Sequence, residues 1–322
     1  MYRKPEKSNW SGRIDPNKGK DALLWHQVIE CISLDDLPPA KNKCQPILLG
    51  FKSDEGVKRN MGRIGAADGP DAMRKAMSGF ALHFDADQYP LIDCGDVVAS
   101  DGDLNGAHQE LAQAVTGLLS KKYLPIVMGG GHEISYGHYC GISDFTDRDK
   151  VIGIINLDAH FDLRPYAEGA HSGSPFRQIL DDCRKHKREF HYFPIGINPA
   201  GNQQSLFKVL DEARQTFIVQ DQIRWDNMAV IKDQILTFAD DVDHIYLTLD
   251  LDVMPAAHAP GVSAPAAFGV DPNHIREMIR VVFSTNKVIS FDIAELNPTY
   301  DDGRTAKLAG SFIYDLIAQY HI

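Results

Sequence analysis

Short runs of nearly unbroken apolar residues, separated by segments of helical periodicity, most restrict the folds open to this chain. Pro46–Phe51, Pro90–Val98, Leu124–Met128, Val151–Asp158, Phe190–Ile197, Thr216–Val219, His244–Asp252 and Lys287–Glu295 read as strands. Several are apolar throughout rather than at every second residue, the pattern of strands covered on both faces. Between them, Asn105–Leu119 sets Leu111, Val115 and Leu118 on one helical face. Asp271–Phe283 carries Pro272 in its first turn and a stripe of Ile275, Met278, Ile279 and Val282. Pro70 suits the opening of a helix over Asp71–Ala76. This alternation predicts an α/β fold of three layers, a single mainly parallel sheet with helices on both faces. No repeat, low-complexity block or linker divides the 322 residues. The expectation is one domain over residues 1–322, with residues 1–43 as an amino-terminal extension packing on it.

Composition narrows the function classes. The formal net charge of −11, with acidic residues spread along the chain, argues against a general nucleic-acid or membrane surface. The five cysteines, Cys31, Cys44, Cys94, Cys140 and Cys183, form no CxxC pair, which argues for reduced thiols over a disulfide framework or thiolate zinc site. Met1–Asp15 has no apolar run of signal-peptide type, and no stretch approaches the roughly 20 apolar residues of a membrane span. A cytoplasmic location is the resulting expectation.

Open α/β sheets bind ligands beyond the carboxyl ends of their strands, so the polar residues that follow the apolar runs carry the functional reading. Val151–Leu157 runs into Asp158-Ala159-His160-Phe161-Asp162, and Ile245–Leu249 runs into Asp250-Leu251-Asp252. Side chains two apart on an extended segment point the same way, which would converge each set. After Leu124–Met128 come Gly129-Gly130-Gly131-His132-Glu133, where glycines permit a tight turn that presents His132. Taken singly, an Asp-x-Asp reads equally as a solvated turn and a histidine as a hydrogen-bonded core residue. Together they place four carboxylates and two imidazoles at three strand ends. Like charges in contact cannot all ionise. Two divalent cations about 3.5–4 Å apart, sharing carboxylates, resolve that conflict. Carboxylate and imidazole donors suit Mn and also admit Fe, Co, Ni or Zn.

On these residues the chain resembles the arginase/agmatinase (ureohydrolase) superfamily: GGGHE at Gly129–Glu133, DAHFD at Asp158–Asp162, DLD at Asp250–Asp252, and the late acid Glu295 of FDIAEL. Within it the chain is most similar to the formimidoylglutamase branch. That likeness adds WSGRID at Trp10–Asp15, SDEGVKRNMGRIGAADGP at Ser53–Pro70, HSGSPFRQ at His171–Gln178 and DLDVMPAAHAPGVSAP at Asp250–Pro265. The resemblance implies one metal held by His132, Asp158, Asp162 and Asp250, and a second held by His160, Asp158, Asp250 and Asp252. It further implies two manganese ions per chain, an eight-stranded parallel sheet, and hydrolysis of N-formimidoyl-L-glutamate to L-glutamate and formamide in histidine degradation. Homo-oligomers are common in the superfamily, although no stretch here marks an interface.

The chemistry then expected is attack of a metal-bridging hydroxide on the formimidoyl carbon, because two cations lower the pKa of a shared water towards about 7. Glu295 would balance the positive charge of the substrate's NH groups, and Asp162 would pass a proton to the leaving amine. A small substrate with an acidic tail calls for a basic clamp on an acidic protein. Arg164, Arg59, Arg63, Asn60 and Ser172 are the candidates, since arginine engages a carboxylate with two hydrogen bonds at once. Arginase has a proton-transfer histidine where this chain has Ser172; His171, one place earlier, is the candidate shuttle. The usual Asp-Pro after the second metal pair is replaced by Pro255-Ala256, which disfavours arginase or agmatinase activity. Three alternatives stand beside this reading: a guanidine hydrolase on the same scaffold, an aspartyl-phosphate phosphatase using Asp250-Leu251-Asp252, and a non-catalytic metal-binding protein.

Overall fold

The structure, a computed structural model, describes residues 1–14, 19–42 and 44–319. Asp15, the last residue of the WSGRID stretch, and Lys43, the expected end of the extension, lie outside the described residues. The strands are β1 (Tyr2–Arg3), β2 (Glu30–Cys31), β3 (Gln45–Lys52), β4 (Ile92–Val98), β5 (Tyr123–Met128), β6 (Ile152–Leu157), β7 (His191–Ile197), β8 (Ile218–Val219), β9 (His244–Asp250) and β10 (Val288–Ala294). The helices are α1 (Trp25–Val28), α2 (Glu55–Arg59), α3 (Gly69–Met77), α4 (Leu104–Ser120), α5 (Ile134–Phe145), α6 (Pro175–His186), α7 (Gln204–Glu212), α8 (Met228–Asp240), α9 (Pro272–Ser284) and α10 (Arg304–Gln319).

One sheet runs β1-β4-β3-β5-β10-β9-β6-β7-β8, with β2 also on β4. Every expected strand forms, with its ends moved by at most two residues. The parallel sheet has the eight strands β3 to β10. Two short strands that the apolar pattern did not announce extend it: β2 pairs parallel and β1 antiparallel with β4. Two residues carry no readable period, and their pairing is decided by the exposed edge of β4, which they cover. Side chains alternate between two cores. Leu48, Ile126, Leu157, Leu249 and Ile293 pack with Met73 of α3, Ile279 of α9 and Ile313 of α10. On the opposite face Leu49, Val127, Ile154 and Tyr246 pack with Leu111 of α4, Ile142 of α5 and Ile179 of α6. Helix ends follow local chemistry: Asp271 caps α9 by accepting from Asn273 N, with Pro272 in its first turn.

The amino-terminal segment is tied to β4 by a buried charge cluster. Arg74, fully buried, bonds Asp93 (Nε to Oδ2, 2.8 Å) and Asp96 (Nη1 to Oδ1, 2.7 Å), and the Trp10 indole donates to Asp93 Oδ2 at 2.7 Å. Each charge there has a partner, as burial requires.

The strand order places the functional ends together. The chain leaves β5 and resumes at β6 three positions away; β9 and β10 later fill the gap, so β5, β10, β9 and β6 are adjacent and parallel at the centre. Their carboxyl ends open on one crevice.

His108, buried in α4, stacks on Phe51 and meets Tyr136 edge-on. Burial pushes its imidazole down to about 4. An unfolded chain binds this proton near 6.5, so the native state loses stability as pH falls from 6.5 towards 4, by about 3 kcal/mol at about 1.4 kcal/mol per unit. His108→Phe should flatten this part of the stability profile. Urea unfolding of both proteins at pH 7 and pH 4.5 measures it; parallel profiles would refute the assignment.

Candidate metal centre

The six expected donors meet at this crevice, though not by strand alternation. Asp158 and Asp250 stand at the ends of β6 and β9, and there the extended chain stops. Asp158 Oδ1 accepts from His160 N at 2.7 Å, and Asp250 Oδ1 accepts from Asp252 N at 2.8 Å. Each aspartate thus bends its own backbone into an Asx turn. The turn folds the donor two residues on, His160 or Asp252, over the strand end. Asp162 lies beyond, at φ 48°. The expectation that extended segments converge Asp158, His160 and Asp162, and Asp250 with Asp252, is corrected accordingly: side-chain carboxylates, not pleating, direct the loops.

The glycines before His132 act otherwise than expected. None has positive φ. A Cβ at Gly130 would lie 1.8 Å from Ser53 O, and one at Gly129 2.9 Å from Ile293 O. Close approach of the turn to β3 and β10 requires them, with Gly130 N bonded to Phe51 O and Gly129 N to Ile293 O, both at 2.7 Å. Glu295, at φ 70°, ends β10 and locks this turn by accepting from His132 N at 2.8 Å. Two non-glycine residues in left-handed conformation, Asp162 and Glu295, therefore border the same crevice. Such strain persists where surrounding structure imposes it.

His132 Nδ1 lies 3.1 Å from Asp158 Oδ2, 3.0 Å from Asp162 Oδ2 and 3.2 Å from Asp250 Oδ2. His160 Nδ1 lies 3.1 Å from Asp252 Oδ2 and 3.6 Å from Asp158 Oδ1. Donors of His132, Asp158 and Asp250, and separately of Asp158, His160 and Asp252, fall within 4.8 Å of one another. Asp158 belongs to both groups. His132 Nδ1 and Asp252 Oδ1 are buried with no hydrogen-bond partner.

The electrostatics demand positive charge between these atoms. Burial, then the neighbouring Asp252 and Asp158, push Asp250 well above the usual carboxylate range. Asp162 and Asp252 are raised too, first by burial. Burial would raise Asp158 as well, but hydrogen bonds from His132 and His160 outweigh it and hold this carboxyl below its usual value. Burial would lower His132; the carboxylates at its Nδ1 reverse that and hold the imidazole well above its usual range. A site that tightens around a proton on Nδ1 is one a cation fits. Neighbouring donors of a divalent ion with bonds of about 2.1 Å also stand about 3 Å apart.

Behind His132 a buried chain fixes its tautomer. Thr248 Oγ1 donates to Asp292 Oδ1 at 2.6 Å, so it can only accept from His132 Nε2, 3.0 Å away. In the neutral ring, the form that binds a cation, Nδ1 is left with its lone pair towards the carboxylates. Asn156 Nδ2 donates to Asp158 Oδ2 at 3.0 Å and to Tyr192 Oη at 2.9 Å, and Tyr192 donates to Phe161 O at 2.9 Å. Asn202 Oδ1 accepts from Phe161 N at 3.0 Å, and its Nδ2 donates to Ala159 O at 2.9 Å. Sequence reading missed these supports. Asn156, Thr248 and Asp292 did leave a signal, as polar residues inside buried strands; Asn202, in a loop, left none.

A cavity of about 280 Å³ stands over the centre. His132, His160, Asp162, Asp250, Asp252 and Glu295 line its floor, and Asn60, Arg164 and Ser172 lie at its wall. Arg164 Nη1 donates to Asn60 Oδ1 at 3.0 Å, and Asn60 Nδ2 donates to Ser172 Oγ at 3.1 Å. The other clamp candidates are elsewhere. Arg59 bonds Glu55, Ala170 O and Gly102 O; Arg63 bonds Val262 O and Ser263 O and lies 4.1 Å over the Tyr300 ring. Neither lines the cavity, because backbone carbonyls and neighbouring side chains take up their guanidinium groups. His171 does not line it either: its Nε2 is 3.2 Å from Pro165 O, and its Nδ1 accepts from Gly173 N at 3.2 Å. Both ring nitrogens are engaged within its own loop, which corrects the shuttle expectation.

Comparison with known proteins bears on this geometry. The family described as "Arginase family" matches residues 45–318. The formimidoylglutamase of Chromobacterium violaceum is 41% identical over 308 residues, 95% of this chain and 96% of that one. That of Lysinibacillus sphaericus is 40% identical, covering 98% of this chain and 97% of the relative. The crystal structure of Trypanosoma cruzi formiminoglutamase with Mn2+ superposes with a TM-score of 0.76 at 27% identity, over 89% of this chain and 98% of the other.

If Thr248 sets the His132 tautomer, Thr248→Val should lower divalent-cation affinity about 10- to 100-fold with little loss of fold. Calorimetric titration of chelator-treated protein with Mn2+ reads this; equal affinity in the two proteins would dismiss the relay.

Proposed function

The chain belongs to the arginase family, and from that premise we propose that it hydrolyses N-formimidoyl-L-glutamate to L-glutamate and formamide. The observation that carries the reading is one cavity with four carboxylates and two imidazoles on its floor and a single arginine, Arg164, held at its wall. Relatives about 40% identical over nearly the whole chain support the substrate. The same reading takes residues 1–322 as one arginase-like unit, on which β1 and Trp10 of the amino-terminal extension pack.

His132, Asp158, Asp162 and Asp250 would hold one divalent cation, and His160, Asp158, Asp250 and Asp252 the other. Manganese is our assignment for both. When bound, such a pair supplies a hydroxide from water at neutral pH and polarises the group under attack. The remaining work belongs to the chain. Glu295 is pushed up to about 7 by burial, and its Oε1 is committed to His132 N. Its buried Oε2 has no hydrogen-bond partner and is the atom we assign to the NH groups of the formimidoyl end. Asp162 is the group we assign to carry a proton to the leaving nitrogen. Arg164 takes a glutamate carboxylate: Asn60 occupies Nη1, fixing the guanidinium plane while leaving other donors for the anion. Ser172 steadies Asn60 from the other side. Holding the amidine against the floor by its distant carboxylate supplies orientation.

Manganese-loaded protein assayed against N-formimidoyl-L-glutamate, arginine, agmatine and guanidinobutyrate should turn over the first by far the fastest. Arg164→Ala should raise KM for it by about 10- to 100-fold, the loss of one charged hydrogen bond or two at about 1.5–3 kcal/mol, while bound metal stays constant. Preference for a guanidine compound would replace the substrate, and an unchanged KM would remove Arg164 from the clamp.

A further inference from the structure

Glu133 follows His132 in sequence yet has no part in the steps above. It is fully buried at the start of α5. Its Oε1 accepts two hydrogen bonds, from Ser53 Oγ and from Gly56 N, each at 2.9 Å. Ser53 lies between β3 and α2, and Gly56 is the second residue of α2. The surroundings are shaped to the carboxylate: a Cβ at Gly56 would lie 2.6 Å from Glu133 Cδ, and one at Gly131 2.0 Å from its Oε2. Gly131 N adds a backbone bond to Ser53 O at 2.9 Å. The turn that carries His132 is thereby pinned to the entry of α2.

The exit of α2 is where the cavity wall begins. Asn60 N bonds Gly56 O at 2.9 Å, and the Asn60 side chain holds Arg164 and Ser172. α2 has only five residues, too few to be stable as a helix without anchors. Its place depends on what grips it: Glu133 at Gly56, Ala170 O and Gly102 O at Arg59, and the Arg164–Ser172 pair at Asn60. We propose that Glu133 is a positioning residue for substrate specificity. Through α2 it fixes Asn60, and hence Arg164, at a set distance from the floor of the cavity, so that an acidic tail of one length is accepted. The inference rests on the preceding reading in taking Arg164 as the carboxylate ligand.

The test compares Glu133→Ala and Glu133→Gln with the unaltered manganese-loaded protein by hydrogen–deuterium exchange over residues 53–62, metal stoichiometry, and separate kcat and KM. Glu133→Ala should speed exchange at Gly56–Asn60 at least tenfold and raise KM at least tenfold, with kcat within threefold and metal content unchanged. Glu133→Gln keeps a carbonyl acceptor and should restore both within threefold. Ser53→Ala, which removes one donor to Glu133, should give the same pattern on a smaller scale, and it decides the matter should Glu133→Ala not fold. Unchanged exchange and KM in the alanine variant would overturn the proposal. So would a glutamine variant as damaged as the alanine one, or a joint fall of kcat and metal content at constant KM. Inertness of the unaltered protein towards N-formimidoyl-L-glutamate would sink the substrate reading alone. The exchange measurement needs no substrate and still decides whether Glu133 holds α2 in place.

Discussion

Four carboxylates held out of water around two imidazoles, with no lysine or arginine paired to any of them among the described residues, are the constraint to which the rest of the architecture answers. Burial and mutual repulsion drive three of the aspartates up and leave His132 gripping a proton. Such a cluster is stable only with positive charge between its members. Everything around it holds these donors in place while that charge is supplied.

The parallel sheet makes the convergence possible. Late insertion of β9 and β10 between β5 and β6 brings strand ends that are far apart in sequence into one crevice. Two Asx turns of the same design then fold His160 and Asp252 back over it. Glu295 joins the ends of β5 and β10 through the His132 amide. Left-handed backbone at Asp162 and Glu295 is tolerated because each loop is tied at several points. Beneath the floor, Asp292, Thr248 and Asn156 orient two of the donors from inside the strands.

Above the floor, chemistry passes from rigid strands to a short, externally anchored helix. α2 spans from the metal turn to Asn60, and Asn60 is shared between Arg164 and Ser172. The Asn60 side of the wall thus reaches the donors through α2 and Glu133, while Arg164 and Ser172 rise from the loop that carries Asp162.

The layers, and the gathering of six carboxylate and imidazole groups at strand ends, were legible in the sequence. Near-continuous apolar runs announced buried parallel strands, Pro272 and Asp271 announced a helix start, and polar clusters at the ends of three runs announced the centre. These signals are local, written in side-chain period and in charge that cannot be buried alone. Only the tertiary structure decided which strands are neighbours, that β1 and β2 extend the sheet, and how the loops bend. It also separated three basic candidates that look alike in sequence. Arg59 and Arg63 meet backbone carbonyls from distant loops, whereas Arg164 meets Asn60 at the cavity wall. His171 likewise turns to its own loop. What a guanidinium or an imidazole binds depends on which groups long-range folding brings within about 3 Å of it, and no local pattern encodes that.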